Sequence, residues 1–519
     1  MKNINNIKSK IKSSNKIDDI LDYNLEYIPN QICLETSSET ISFVNLEKKV
    51  SLLCAMFLDL DLTEGDRIAL LSKNSFVFSE LMFACSRLNI VLVPLNFRLT
   101  KLEIEYIIND SGSKILLHGE EFEDILMDLK KNCQTLKKKI SLKNNNLDTM
   151  PQKKIMRNLK VQNSTNIPLF QMYTSGTTGK PKGALITHKN ILTLIFDGIN
   201  KLGPFDEKSI SLVCMPLFHI AGSAWLFFGL AAGCRNILIV DIDPKEIINV
   251  IKSKNITCTL MVPSLIHMIC EEAEKNRIKI ENLKTLVFGA SPMPADLINR
   301  ARLIFPNADL IHVYGLTETT GMFMSLDPKE LKNNRIESCG KCFDQSEIKI
   351  VDDNGNIVPK NVIGEIICKS PQVMLGYFNN KKVTAKSIRN DWFFTGDAGY
   401  IDDDGYLFLK DRIKDVIISG GENIYSVEVE NFLLNHPSIS EIAVVGSPDI
   451  KWGEKVVAIV VSNEKNKNLL EKNIRSFCIG KLANFKIPKQ FIFIDSLPKN
   501  AAGKVTKEKL RERILLGEY

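Results

Sequence analysis

Residues 68–94 read IALLSKNSFVFSELMFACSRLNIVLVP. A short β-branched run, IALLS at 68–72, gives way to an apolar-rich helical pattern from Phe76 to Leu88, and IVLVP follows at 90–94. This is the β-α-β rhythm of parallel strands joined by helices. Similar runs return at TCTLMVPS (257–264) and TLVFGA (285–290), so open sheets covered by helices are expected. The Lys- and Asn-rich region from Lys130 to about Thr165 lacks apolar periodicity and reads as a surface connector. GYIDDDGYLFLKD (399–411) reads as a hairpin turning at Asp404-Gly405, with further strands at IAVVG (442–446) and VVAIVV (456–461). Between them DRIKDVIISGGEN has the charged, glycine-paired composition of a mobile connection. The expected fold is α/β: a large N-terminal domain with several subdomains, residues 1–413, and a small mobile α+β C-terminal domain, residues 414–519.

Length and composition agree. The chain has 519 residues, 44% hydrophobic and 25% charged, which suits a soluble globular protein and excludes general disorder. Twelve cysteines are scattered rather than framed, and no signal peptide is legible, so reduced thiols in the cytoplasm are expected. Net charge is +6, from 67 basic and 61 acidic residues, with no aromatic-laced basic stripe, and nucleic acid is not an expected partner. From Ser209 to Cys234 no charged side chain occurs. The length would span a bilayer, but Pro216 and His219 interrupt it without flanking anchors, and a buried strand, turn and helix is the expected form. Peripheral membrane contact stays open, as does the choice between monomer and homodimer.

The strongest chemical signal is YTSGTTGKPKG, residues 173–183, with three glycines, four hydroxyls and two lysines among these residues apart from the tyrosine. Glycines let backbone amides approach anionic oxygens, hydroxyls add hydrogen bonds and lysine adds charge, a combination suited to polyphosphate. It is not a Walker loop, because Pro181 follows Gly179-Lys180 where a hydroxyl residue is required. A bare Gly/Thr turn is the plain alternative.

The segment resembles the phosphate loop of the adenylate-forming superfamily, which includes acyl-CoA synthetases, luciferases and peptide-synthetase adenylation domains. Further matching motifs follow in the family's order: PLFHIAG (216–222), FGASPMP (288–294), YGLTETTG (314–321), FFTGDAGY (393–400), DRIKD (411–415), SGGENIYSVEVE (419–430) and NAAGKV (500–505). They span the chain from about residue 30 to its end, and as a set they are specific.

The resemblance implies an ATP-dependent acyl-CoA synthetase. Carboxylate is converted to acyl-AMP with release of pyrophosphate, and the acyl group then passes to the CoA thiol. Thr174, Ser175, Gly176, Thr177, Thr178, Gly179 and Lys182 would hold the β and γ phosphates, Thr317 the α-phosphate, and Glu318 the Mg2+. Tyr314 would lie against adenine beside Gly315, Asp397 would accept from the ribose hydroxyls, and Arg412 would assist there. Lys504 resembles the adenylation lysine that bridges carboxylate and α-phosphate. Lys414 matches the hinge, and Gly420, Gly421, Glu422 and Asn423 match a channel for pantetheine. Trp225, Gly289, Ala290 and Val313 are expected at the acyl site, with Val313 narrowing it against a very long straight chain, because relatives often carry Gly there. His219 has two readings, a satisfied core histidine or a gate to that pocket with a part in catalysis.

A fatty acid is the expected substrate, and an aryl acid or hydroxycinnamate the alternative, since pocket shape decides. From other classes, a nucleotide-binding pseudoenzyme and a membrane transporter using residues 209–234 are the competitors. Cys339 and Cys342 form a lone C-x-x-C without a second pair, and His118, His188, His267, His312 and His436 have no metal-ligand spacing.

Overall fold

The structure is a computed structural model that describes residues 4–142, 165–174, 180–203, 205–291, 293–332, 335–420, 422–500 and 503–519. It divides into two compact units: Met1–Ile348 with Cys368–Phe393, and Lys349–Ile367 with Phe394–Tyr519.

The first unit is built on two large sheets. In the seven-stranded sheet the order is Gly376–Tyr377, Lys182–Thr187, Pro168–Thr174, Val91–Leu95, Arg67–Leu71, Ile115–His118 and Lys138–Ser141. Strands Arg67–Leu71 and Val91–Leu95 are parallel, with Ile68 opposite Leu92. The helix between them, Phe76–Leu88, is buried along almost every position and ends at Asn89, whose left-handed backbone (φ 55°) closes it. One expectation needs correction: Lys138–Ser141, inside the stretch read as a surface connector, is an edge strand parallel to Ile115–His118. Its ladder is made by backbone groups, which leave no apolar alternation to read. The remainder of that connector, 143–164, lies outside the described residues.

The second sheet has nine strands, ordered Lys341–Cys342, Gly321–Leu326, Asp309–Leu316, Thr285–Gly289, Cys258–Met261, Ile210–Val213, Arg235–Leu238, Ile32–Glu35 and Thr40–Ser42. The charge-free segment supplies strand Ile210–Val213 and helix Ile220–Ala232, the latter buried at all but one position. Charges are absent because the helix meets protein on every side. Its glycines permit that closeness: a Cβ at Gly229 would overlap Asn236 Oδ1, and one at Gly222 the Pro216 carbonyl. Among the described residues no helix is long and apolar enough to cross a membrane. All twelve cysteines are free.

The Lys- and Asn-rich start folds into helices Ile4–Ser13 and Asp18–Tyr27. The amide of Ile17 donates to His188 Nδ1 at 3.3 Å, and burial pushes this imidazole down to about 3 from 6.5, Lys16 adding to the effect. As pH falls below about 6.5 the unfolded chain takes up a proton that the folded chain refuses until about 3. Stability contributed by this site is therefore full above pH 6.5 and falls by about 1.4 kcal/mol per pH unit below it. His188→Gln is expected to remove one proton's worth of slope from unfolding free energy measured between pH 6 and pH 4; identical slopes in both proteins would refute this origin.

The second unit resumes within strand Trp392–Ile401, which forms the expected hairpin with Leu407–Arg412, Gly405 being in the left-handed region (φ 84°). Beyond it a five-stranded sheet runs Glu422–Ile424, Ile417–Ser419, Gly453–Val461 and Glu441–Asp449, with Gln490–Ile494 added in parallel to Gly453–Val461. The two-residue period sorts its core. Val444, Val456, Ala458 and Val460 pack with Val429, Leu433, Leu470 and Ile474, whereas Ala443, Val445, Val457 and Ile459 pack with Leu497 and Leu510.

Candidate functional site

The stems of the expected phosphate loop are strands Pro168–Thr174 and Lys182–Thr187, antiparallel with Thr174 opposite Lys182. Ser175, Gly176, Thr177, Thr178 and Gly179 lie outside the described residues. The stems are braced from below: the Tyr173 hydroxyl donates to Asp110 at 2.6 Å and accepts from Gln171 Nε2 at 2.9 Å. Burial first, then the Asp110 carboxylate, push that phenol well above its ordinary range.

YGLTETTG forms the end of strand Asp309–Leu316, a 3-10 turn Thr317–Thr319 and the start of strand Gly321–Leu326. Thr319 Oγ1 accepts from the Leu316 amide at 2.8 Å, and Thr320 takes a left-handed backbone (φ 57°). A Cβ at Gly315 would overlap the Gly321 carbonyl, so the tight return requires glycine there. Tyr314 is buried against Phe323, ring centroids 5.6 Å apart.

The turn aims Glu318 at the phosphate-loop stem. Glu318 Oε1 accepts from Thr174 Oγ1 at 3.3 Å and from the Tyr377 hydroxyl at 2.8 Å. Lys182 Nζ lies 5.5 Å from the Tyr377 ring centroid. Thr174, Lys182 and Glu318, separated in sequence, are thus brought together with Thr317 adjacent to Glu318. Tyr377 is the residue that reading the sequence missed: MLGYF (374–378) carries no charge and no catalytic spacing, and only chain crossing puts it here.

On the acid side, Gly289 and Val313 are opposite each other in neighbouring parallel strands. A Cβ at Gly289 would overlap the Val313 carbonyl, and Ala290 follows with φ 66°. Trp225 is buried, with Phe205 and Phe228 at centroid distances of 5.0 and 6.5 Å. His219 is half-buried at the start of helix Ile220–Ala232, where Nδ1 accepts from the Ala221 amide at 3.2 Å. That bond assigns a neutral ring's proton to Nε2.

In the second unit, Asp397 and Arg412 face each other across the hairpin, Arg412 Nε to Asp397 Oδ1 at 2.8 Å. Asp397 is buried, and Arg412 also donates to the Thr395 carbonyl at 3.2 Å. Lys414 is exposed in the 3-10 turn Ile413–Asp415, and its carbonyl accepts from Arg511 at 3.4 Å. Gly420 (φ 61°) donates its amide to the Trp452 carbonyl at 2.7 Å. Gly421 lies outside the described residues, while Glu422 and Asn423 are exposed on their strand. Lys504 is exposed on a small hairpin closed by the Lys499–Val505 bridge, its amide donating to Asn500 Oδ1 at 2.9 Å.

Comparison with known proteins sets this geometry in a family. The AMP-binding enzyme model matches residues 21–378, and the AMP-binding enzyme C-terminal domain model matches residues 428–504. The chain belongs to the AMP-binding enzyme family. Its relatives include the fatty acid–[acyl-carrier-protein] ligase ScoC of Streptomyces coeruleorubidus, 30% identical over 95% of each chain. The 2-succinylbenzoate–CoA ligase of Bacillus cytotoxicus is 32% identical, over 93% of this chain and 96% of its own. The solved o-succinylbenzoate CoA synthetase of Bacillus subtilis, in complex with its acyl-adenylate intermediate, superimposes with a TM-score of 0.84 at 30% identity, covering 95% of this chain and 97% of that one. Two of these three names carry succinylbenzoate, on the side of the aryl-acid alternative, and one carries a fatty acid, the substrate first expected from the sequence.

For this AMP-binding enzyme the metal question has a local answer. Among the described residues no group of three or more His, Cys, Asp or Glu could hold an ion. A lone carboxylate, Glu318, ringed by hydroxyls of Thr174 and Tyr377, fits Mg2+, which takes one or two protein carboxylates and completes its shell with water and substrate phosphate.

Proposed function

We propose that this enzyme is an ATP-dependent acid–CoA ligase whose substrate is an aryl carboxylic acid. The reading is carried by the convergence of Thr174, Lys182 and Glu318 at the stem of a Gly/Thr loop, in a chain that matches 2-succinylbenzoate–CoA ligases along nearly its whole length.

A carboxylate does not condense with a thiol in neutral water, because oxide is too poor a leaving group. In the first half-reaction a carboxylate oxygen attacks the α-phosphorus of ATP, and the bond to the bridging oxygen of pyrophosphate breaks. Negative charge gathers on nonbridging oxygens, where placed cations and donors act most strongly. Thr317 donates to the α-phosphate, the loop with Thr174 and Lys182 holds the departing phosphates, and Asp397 with Arg412 orients the ribose. Glu318 would hold Mg2+, which when bound would supply charge neutralisation at the phosphates. Lys504 bridges the two reacting oxygens as a compact ammonium on a flexible stem. In the second half-reaction CoA sulfur attacks the acyl carbonyl, AMP leaves as the anion, and the thiol proton passes to solvent. The domain from Lys414 onward moves between these steps, replacing the Lys504 turn by the Gly420–Asn423 segment.

The test is pyrophosphate exchange into ATP with purified protein and a panel of 2-succinylbenzoate, benzoates, cinnamates and graded fatty acids, followed by AMP and CoA-thioester assays. Exchange is expected with an aryl acid and CoA-dependent AMP release with the same acid. Exchange confined to fatty acids would overturn the substrate class. ADP as product, or no exchange with any acid, would overturn the reaction. The relative that loads an acyl-carrier protein makes a carrier-protein arm necessary: thioester formed there but not on CoA would replace the acceptor.

A further inference from the structure

Tyr377 enters the site from outside the motifs singled out in the sequence, though within the stretch 21–378 that the family model matches. It lies on the two-residue strand Gly376–Tyr377, which is antiparallel to Lys182–Thr187 with Tyr377 opposite Ala184. The crossing is pinned on each side. The Phe378 amide donates to the Gly183 carbonyl at 2.8 Å, the Tyr377 amide to Thr384 Oγ1 at 2.9 Å, and the Met374 amide to the Glu318 carbonyl at 2.8 Å. Gln372 Nε2 adds a bond to the Met322 carbonyl at 3.0 Å. Gly376 sits at φ 146°, and a Cβ there would press on Thr384 at 2.7 Å. So much backbone fixation leaves the phenol little freedom. Its hydroxyl meets Glu318 Oε1 at 2.8 Å, and its ring face lies 5.5 Å from Lys182 Nζ.

We propose that Tyr377 is a positioning residue that holds the Glu318 carboxylate in the orientation required to bind Mg2+ with ATP, and that couples this carboxylate to Lys182 of the phosphate loop. The physical reasons are two. A carboxylate on a two-carbon stem is rotationally loose. A donated phenol hydrogen bond, supplemented by Thr174 at 3.3 Å, occupies Oε1 and leaves Oε2 as the oxygen that would meet the ion. Partners that orient a metal-binding carboxylate commonly change metal affinity by 10 to 100-fold when removed. The aromatic face, in turn, attracts the Lys182 ammonium through the ring quadrupole, keeping it near the stem before nucleotide arrives.

The inference rests on the proposed reaction, yet its test separates the two. Tyr377→Phe keeps the ring and deletes only the hydroxyl; Tyr377→Leu deletes both contacts. Mn2+ binding in the presence of ATP and without acid, followed by electron paramagnetic resonance, reads the site without turnover. The Phe variant is expected to need about tenfold more Mn2+ for half-saturation. In pyrophosphate exchange its Mg2+ requirement should rise in parallel, with the KM for the acid unchanged. The Leu variant is expected to show the same metal defect and, in addition, weaker metal-free ATP binding. Thermal unfolding of both variants at the wild-type midpoint would confirm that the fold is kept. Wild-type Mn2+ affinity in a folded Phe variant would overturn the assignment even with exchange activity intact, whereas absence of exchange in the wild-type protein would overturn the reaction and leave the Mn2+ measurement standing. If Phe fails to fold, Tyr377→His, which retains a ring and a donor, provides the second comparison: near-wild-type metal affinity supports the hydrogen-bond role, and a defect as large as that of Leu overturns it.

Discussion

Lys504→Ala is expected to lower acid-dependent pyrophosphate exchange by about 10²- to 10³-fold, the usual cost of removing one group aimed at developing charge. Lys504 is exposed and its amide is held by Asn500 Oδ1, a bond the substitution keeps, so the unfolding midpoint should move little. Thioester formation from supplied acyl-adenylate should survive within a few-fold, because by then the ammonium has no α-phosphate attack to assist. The two half-reactions measured side by side therefore decide the role. Equal losses in both would make Lys504 a general binding residue, and no loss in either would return the pseudoenzyme reading.

The largest expected effect on stability lies far from that chemistry. Arg87 sits under helix Asp18–Tyr27, paired to Asp18 at 2.9 Å and to Glu47 at 2.8 Å, with all three side chains largely buried. One guanidinium serves two acids, and burial pushes Asp18 up to about 6 even against that cation. Arg87→Ala would leave two carboxylates desolvated without a partner. About 3 to 5 kcal/mol of stability should be lost, the range for breaking a buried pair from one side. Denaturant unfolding of wild type and variant checks the figure. Replacing all three by apolar or amide side chains (Asp18→Asn, Glu47→Gln, Arg87→Met) should recover most of the loss, since no charge is then stranded. A triple variant as unstable as the single one would show that packing by the arginine stem is what matters.

The α/β class was legible because period and length carry it. IALLS and IVLVP at either end of a helical pattern leave little choice but parallel strands, and the structure pairs Arg67–Leu71 with Val91–Leu95. The phosphate loop was legible because glycines, hydroxyls and lysines cluster there, whereas the Glu318 turn and the Asp397–Arg412 pair were named because their motifs resemble the family's. The strand Lys138–Ser141 was not legible, since an edge ladder made by backbone amides leaves no side-chain pattern. Trp225 was expected at the acyl site from the resemblance; its packing against Phe205 and Phe228 is a tertiary contact that local sequence does not show.

What the order of residues determined by itself is local: where strands and helices fall, which helix can be apolar on all sides, and which short segments concentrate phosphate-binding groups. What tertiary structure alone decided is the meeting of positions 174, 182, 318 and 377. Tyr377 is silent in sequence because a phenol acquires its function from the carboxylate it touches, and that carboxylate is 59 positions away. Contacts of this kind are set by sheet order and crossing loops, which local periodicity does not encode.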